Sequence, residues 1–129
     1  MKKVLVIEDN QDNLRLISYP LQRSGYEVVW AASGEEGVKK ALEGEFSLII
    51  MDINLPGIDG IEATKRIRQS AENQGVPIVA ITSFAMLGDR EIILGAGCNG
   101  YLEKPIDPLT VMDEIEKMIE TMNSDQGEA

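Results

Sequence analysis

The feature that most constrains this chain is a hydrophobic period that switches back and forth along its whole length. Short apolar runs rich in β-branched residues alternate with stretches whose apolar positions recur every three or four residues. The first run, VLVI at 4–7, has the composition of a strand buried on both faces. Leu14, Ile17 and Leu21 then recur at helical spacing, and Ser24-Gly25 closes the segment with a glycine suited to a left-handed C-terminal cap. Pro20 inside this helix withholds a donor from the Leu16 carbonyl, so a kink or local irregularity is expected. Further strands are expected at 26–31, 46–51, 77–82 and 101–102. Between them, Ser33 to Glu36 fits the S-x-x-E capping box and opens a helix to about residue 43. Asp59 to Glu62 is a second capping box, opening a helix to about 72, and a glycine-broken helix spans 87–96. Asp107-Pro108 places a capping acid before a proline at the first helical position, opening a last helix through about 122. The polar stretch 123–129 reads as a frayed tail, leaving 1–122 as one domain.

Five strand–helix units without a linker or repeat imply an α/β fold: a parallel sheet, helices on both faces, right-handed crossovers. At 129 residues the chain can bury a proper core without staples. In open sheets of this kind, sites form beyond the carboxyl ends of the strands. Function is therefore sought just after Ile7, Met51, Thr82 and Leu102.

Composition removes several chemistries. The formal charge is −10, which argues against binding a phosphate backbone. There is no histidine, so Ser-His-Asp sites, histidine metal ligands and phosphohistidine on this chain are excluded. The single cysteine, Cys98, can form neither an internal disulfide nor, alone, a zinc or iron–sulfur site. The apolar run after Lys2 and Lys3 is too short for a signal peptide or a membrane span, and the expected compartment is a reducing cytosol.

At the strand ends stand Glu8-Asp9, Asp52, Thr82-Ser83 and Lys104-Pro105. Each has a bland alternative: Asp9 could cap the helix beginning near residue 10, and Lys104 could be a solvated surface lysine. Their arrival at one edge of one sheet favours a shared site. Three carboxylates beside one ammonium repel one another unless a cation or proton joins them. An all-oxygen donor set points to a hard divalent ion, and few carboxylates completed by water and a phosphate oxygen suit Mg²⁺. Phosphoryl transfer to an aspartate carboxylate accommodates an oxygen nucleophile, a metal and a lysine together.

The segments VLVIEDN, MDINLPGIDG, ITSFA and YLEKPID, in this order and at these intervals, resemble the receiver domain of two-component response regulators, chiefly the single-domain, chemotaxis-regulator-like type. The resemblance covers about residues 3–122. It implies a flavodoxin-like (βα)5 three-layer sandwich with strand order 2-1-3-4-5. It places the phosphoryl acceptor at Asp52. Mg²⁺ (or Mn²⁺) would be held by Asp9, Asp52 and the Asn54 backbone carbonyl, with Glu8 acting through water. Lys104 would pair with a phosphoryl oxygen. Thr82 would be the hydroxyl that moves toward the phosphoryl group, Tyr101 the aromatic that follows it, and Ser83 the small residue leaving access to the acceptor. Asn54 and Phe84 would flank the attacking water and tune phosphoryl lifetime. The Lys104-Pro105 peptide is commonly cis in such domains. The Glu-Asp pair, where Asp-Asp is also common, and Pro20 are the departures.

The implied partners are a histidine kinase or histidine phosphotransfer protein as donor and a downstream protein target, with no nucleic acid or membrane. The target would read segment 84–94, the fifth strand and the last helix. The chain is expected to be a stand-alone regulator, the alternatives being a receiver cut from a larger regulator or hybrid kinase and an unphosphorylated receiver-like scaffold. Such a domain catalyses its own phosphorylation and dephosphorylation but is not a turnover enzyme on external substrates. Two rivals share parts of the pattern. A flavodoxin-type cofactor binder would need a loop after the first strand that welcomes phosphate, and here that loop is acidic. A haloacid-dehalogenase-type phosphatase would need an acid where Asn54 stands.

Overall fold

In the computed structural model, which describes residues 2–83 and 87–127, the apolar runs pair into one five-stranded parallel sheet of order β2-β1-β3-β4-β5. The elements in chain order are β1 (Lys2–Ile7), α1 (Gln11–Arg23), β2 (Tyr26–Ala31), α2 (Gly34–Glu43), β3 (Leu48–Asp52) and α3 (Gly60–Arg68). After a 3-10 turn at Ala71–Asn73 come β4 (Ile78–Thr82), α4 (Leu87–Ala96), β5 (Gly100–Glu103) and α5 (Val111–Gly127). No helix among the described residues is long and apolar enough to cross a membrane.

The pleat divides the core into two layers. Leu5, Ile7, Ile49, Met51, Ile78 and Ala80 point to one face of the sheet, where Ala41 of α2, Ala63 and Ile67 of α3 and Ile93 of α4 cover them. Val4, Val6, Leu48, Ile50, Val79 and Ile81 point to the other, under Ile17 and Leu21 of α1 and Val111 and Ile115 of α5. Every residue of β3 and β4 is buried, because strands in the middle of a parallel sheet are covered on both sides. Burying each large aliphatic side chain contributes roughly 1.5–3 kcal/mol before entropy is set against it.

The caps follow the sequence with small shifts. Asn10, not Asp9, caps α1: its Oδ1 accepts the Asn13 N–H at 3.0 Å, which leaves the Asp9 carboxylate free of that duty. Ser33 Oγ accepts the Glu36 N–H at 3.1 Å, while the Glu36 carboxylate reaches back to the Ala32 N–H at 3.0 Å. Asp59 caps α3, but Glu62 pairs with Arg66 instead of returning to the cap, so that box is half made. Gly25 takes φ +94°, the left-handed cap expected after α1.

Four expectations are corrected. Helix α1 passes through Pro20 unbroken; the proline lies near its end, buried, and the last turn closes by the Ser24 N–H donating to the Pro20 and Leu21 carbonyls. Helix α3 stops at Arg68, where the backbone tightens into i→i+3 bonds at Gln69 and Ser70. Pro108 belongs to a turn, not to the first turn of α5: the Asp107 carboxylate takes the Leu109 N–H and its carbonyl takes those of Thr110 and Val111. Helix α5 continues through Gly127, over most of the stretch expected to fray.

One contact ties the fold to the strand edge. A Cβ placed on Gly60 would lie 2.4 Å from the Asp52 carbonyl oxygen and 2.7 Å from Ile53 Cα, both backbone atoms that cannot yield cheaply. The N-terminus of α3 therefore packs directly on the end of β3. Gly60→Ala is expected to destabilise the fold by about 1–3 kcal/mol, read as a fall in the urea midpoint at constant m-value. An unchanged midpoint would show that this close approach is not needed.

Candidate functional site

Register brings the acids together. Ile7 pairs with Met51 and Asp52 with Ile81, so the residue after β1, Glu8, falls beside the last residue of β3, Asp52. The two-residue alternation then sets direction. Glu8 follows Ile7 of one layer and Asp52 follows Met51, so both turn to the face covered by α1 and α5. Lys104, two residues beyond Leu102 of that second layer, turns the same way. Thr82 and Tyr101 alternate to the opposite face, and Tyr101 packs half-buried on the layer that contains Ile93.

Asp52 is 1 % exposed and both of its oxygens are engaged: Oδ2 lies 3.1 Å from Lys104 Nζ, and Oδ1 accepts the Asn54 N–H at 2.9 Å. The lysine side chain stays 20 % exposed, its stem in the protein and its charge on the acceptor. The Lys104-Pro105 peptide is cis, and the Lys104 N–H donates to the Thr82 carbonyl at 2.8 Å. Asn54 Oδ1 meets the Ser83 N–H at 3.5 Å, linking the loops after β3 and β4. Thr82 is buried at the end of β4 and Ser83 is exposed just beyond it. Phe84 lies outside the described residues.

Glu8, Asp9 and Asp52 each offer an oxygen, and these atoms lie within 4.8 Å of one another. Glu8 is 3 % exposed, and its Oε1 is buried without a hydrogen-bond partner. Burial, reinforced by the neighbouring Asp52 carboxylate, pushes the Glu8 carboxyl up to about 8, against the opposing pull of Asn13 and Lys104. An orphaned buried oxygen in an oxygen-only donor set fits a hard divalent cation, which would satisfy it and offset the crowded negative charge.

The sequence brought Glu8, Asp9, Asp52, Asn54, Ser83, Thr82 and Lys104 to one edge, and there they stand. Two contributors were missed. Asn13, in the first turns of α1, lines the same small cavity as Glu8 and favours the charged form of its carboxyl. The Trp30 indole N–H, from β2, donates to the Glu8 carbonyl at 2.7 Å. Neither carries a local motif; only the parallel pairing of β1 with β2, in which Val6 sits opposite Trp30, could have pointed to the second.

The response regulator receiver domain family model matches residues 4–116. The polar-differentiation response regulator DivK of Brucella ovis is 39% identical over 128 residues, covering 99% of this chain and 98% of the relative. Among solved structures, the chemotaxis protein CheY4 of Vibrio cholerae superposes with a TM-score of 0.86 at 32% identity, covering 92% of this chain and 98% of that one. The receiver domain of the sensor histidine kinase PA1611 from Pseudomonas aeruginosa PAO1 superposes with a TM-score of 0.83 at 37% identity, over 92% and 98% of the two chains. That structure has a magnesium ion coordinated in its active site cleft.

Proposed function

This chain belongs to the response regulator receiver domain family, and from that premise we propose that Asp52 is a phosphoryl acceptor for a histidine of another protein. The observation that carries the reading is a carboxylate 1 % exposed at a strand end, held at 3.1 Å by a lysine and flanked by two further acids. These 129 residues contain no histidine, so the donor histidine lies outside them, on a histidine kinase or phosphotransfer protein. An Asp52 carboxylate oxygen attacks phosphorus, the P–N bond to the donor imidazole breaks, and the imidazole leaves with that electron pair and takes up a proton. Lys104 holds the carboxylate in place beforehand and pairs afterwards with a phosphoryl oxygen.

Glu8, Asp9, Asp52 and the Asn54 carbonyl would hold Mg²⁺ or Mn²⁺, which supplies positive charge to the phosphoryl oxygens. Asn54 projects a side-chain amide from the loop after the acceptor, where it can orient a water for hydrolysis. Thr82 and Tyr101, on the opposite face of the sheet, would carry the change to segment 84–94, β5 and α5, where a protein partner reads it. We assign residues 1–122 to the receiver domain and 123–129 to a polar C-terminal tail, and we place the protein in the cytoplasm.

The test is mass spectrometry of the wild-type protein after incubation with a small phosphodonor. One phosphate is expected, dependent on Mg²⁺, abolished by a chelator and mapped to the peptide containing Asp52. A phosphate elsewhere, or none with Mg²⁺ present, would overturn the assignment.

A further inference from the structure

Trp30 is the only tryptophan of the chain, and neither phosphoryl transfer nor the metal as assigned above uses it. Its side chain is half-buried near the end of β2, an edge strand. There its indole N–H donates to the backbone carbonyl of Glu8 at 2.7 Å. The N–H of the same residue donates to the Ala31 carbonyl at 3.0 Å. Both backbone polar groups of Glu8 are thus tied to consecutive residues of β2. The carbonyl matters more, because it belongs to the peptide that joins Glu8 to Asp9. Beyond that peptide, Asn10 is held as the cap of α1. The acidic pair therefore hangs between two anchored points, and the indole sets the plane between them.

Trp30 is itself held from α2. Lys40 Nζ donates to the Trp30 carbonyl at 2.5 Å and pairs with Glu36 at 3.0 Å, and Glu36 also accepts the Ala32 N–H. A run of contacts thus leads from the first turn of α2 through Trp30 to the Glu8–Asp9 peptide. Carboxylates that must meet one cation bind it more tightly when the groups behind them are already oriented.

We propose that Trp30 is a positioning residue for the cation site, its indole N–H fixing the Glu8–Asp9 peptide so that both carboxylates are presented together. The inference rests on the reading that Glu8, Asp9 and Asp52 hold Mg²⁺. Without the indole bond the peptide regains rotational freedom, and the cation must order it on binding.

The experiment is calorimetric titration of Mg²⁺ into wild type, Asp9→Ala, Trp30→Phe and a chain carrying β-(3-benzothienyl)alanine at position 30. The benzothienyl analogue keeps the bicyclic packing and replaces the N–H by sulfur, so it answers the question even if Trp30→Phe fails to fold. A net hydrogen bond that orients metal ligands is worth about three- to tenfold in the Mg²⁺ dissociation constant, and both position-30 variants are expected to weaken it by that factor. The melting temperature without Mg²⁺ should be near wild type in the analogue. Wild type that binds Mg²⁺ no more tightly than Asp9→Ala would overturn the metal reading and this inference with it. Tight binding by wild type, lost in Asp9→Ala but unchanged in the benzothienyl chain, would overturn the role of Trp30 alone.

Discussion

Asp52→Asn is expected to take up no phosphate from a small phosphodonor with Mg²⁺ present, while Lys104→Met takes it up about 10²- to 10³-fold more slowly than wild type. The two effects have different origins. The amide at position 52 has no carboxylate oxygen to form the new bond, so the reaction loses its nucleophile. Methionine at 104 keeps the length of the stem and removes the ammonium that lies 3.1 Å from the acceptor. Loss of one preorganised positive donor has the size usually found for removing a single group that stabilises charge in the transition state. Phosphate gain followed over time by intact-mass spectrometry separates the two. Labelling of the Asp52→Asn chain at the wild-type rate would reject Asp52 as acceptor, and an unchanged rate in Lys104→Met would reject the role of the lysine.

The metal-free protein is expected to lose stability as pH rises between about 5 and 8. The cause is Glu8, whose carboxyl is raised to about 8 by burial and then by Asp52, against an ordinary value of 4.5. In that window the folded chain holds a proton that the unfolded chain has released. The associated stability is full below the unfolded value and is lost as pH rises through the folded one, at up to about 1.4 kcal/mol per pH unit. A divalent cation competes with that proton for the same oxygens, so millimolar Mg²⁺ should raise the melting temperature more at pH 8 than at pH 6. Glu8→Gln should flatten the slope, because an amide does not titrate. Asp9→Ala should keep the slope but lose the response to Mg²⁺. Melting curves across this range decide the matter: equal slopes in wild type and Glu8→Gln would remove Glu8 as the cause.

The readings that held in the structure share a physical origin. Helix α4 spans Leu87–Ala96, as its sequence pattern suggested, and Ser33 and Asp59 cap their helices, because these features depend on residues within one or two turns of each other. The central strands were legible because a strand covered on both faces must be apolar throughout. The acids and Lys104 could be placed at one edge because strand ends in a parallel sheet share an edge by topology. Strand order and residue roles came with the family resemblance, not with periodicity.

The sequence by itself therefore determined the five-unit α/β architecture, the core, and which residues crowd the carboxyl edge, since each follows from local period and chain direction. Only the tertiary structure decided the rest. The α5 start moved to Val111 because Asp107 closes a turn of its own, a competition that the motif cannot settle. Helix α3 ends at Arg68 where its guanidinium binds the carbonyls of Asn73 and Gly97 and the side chain of Asn99, groups up to 31 residues distant. Trp30 meets Glu8 across 22 residues. Contacts of that kind are set by strand register and helix packing, and no periodicity along the chain encodes which two side chains will face each other once the layers close.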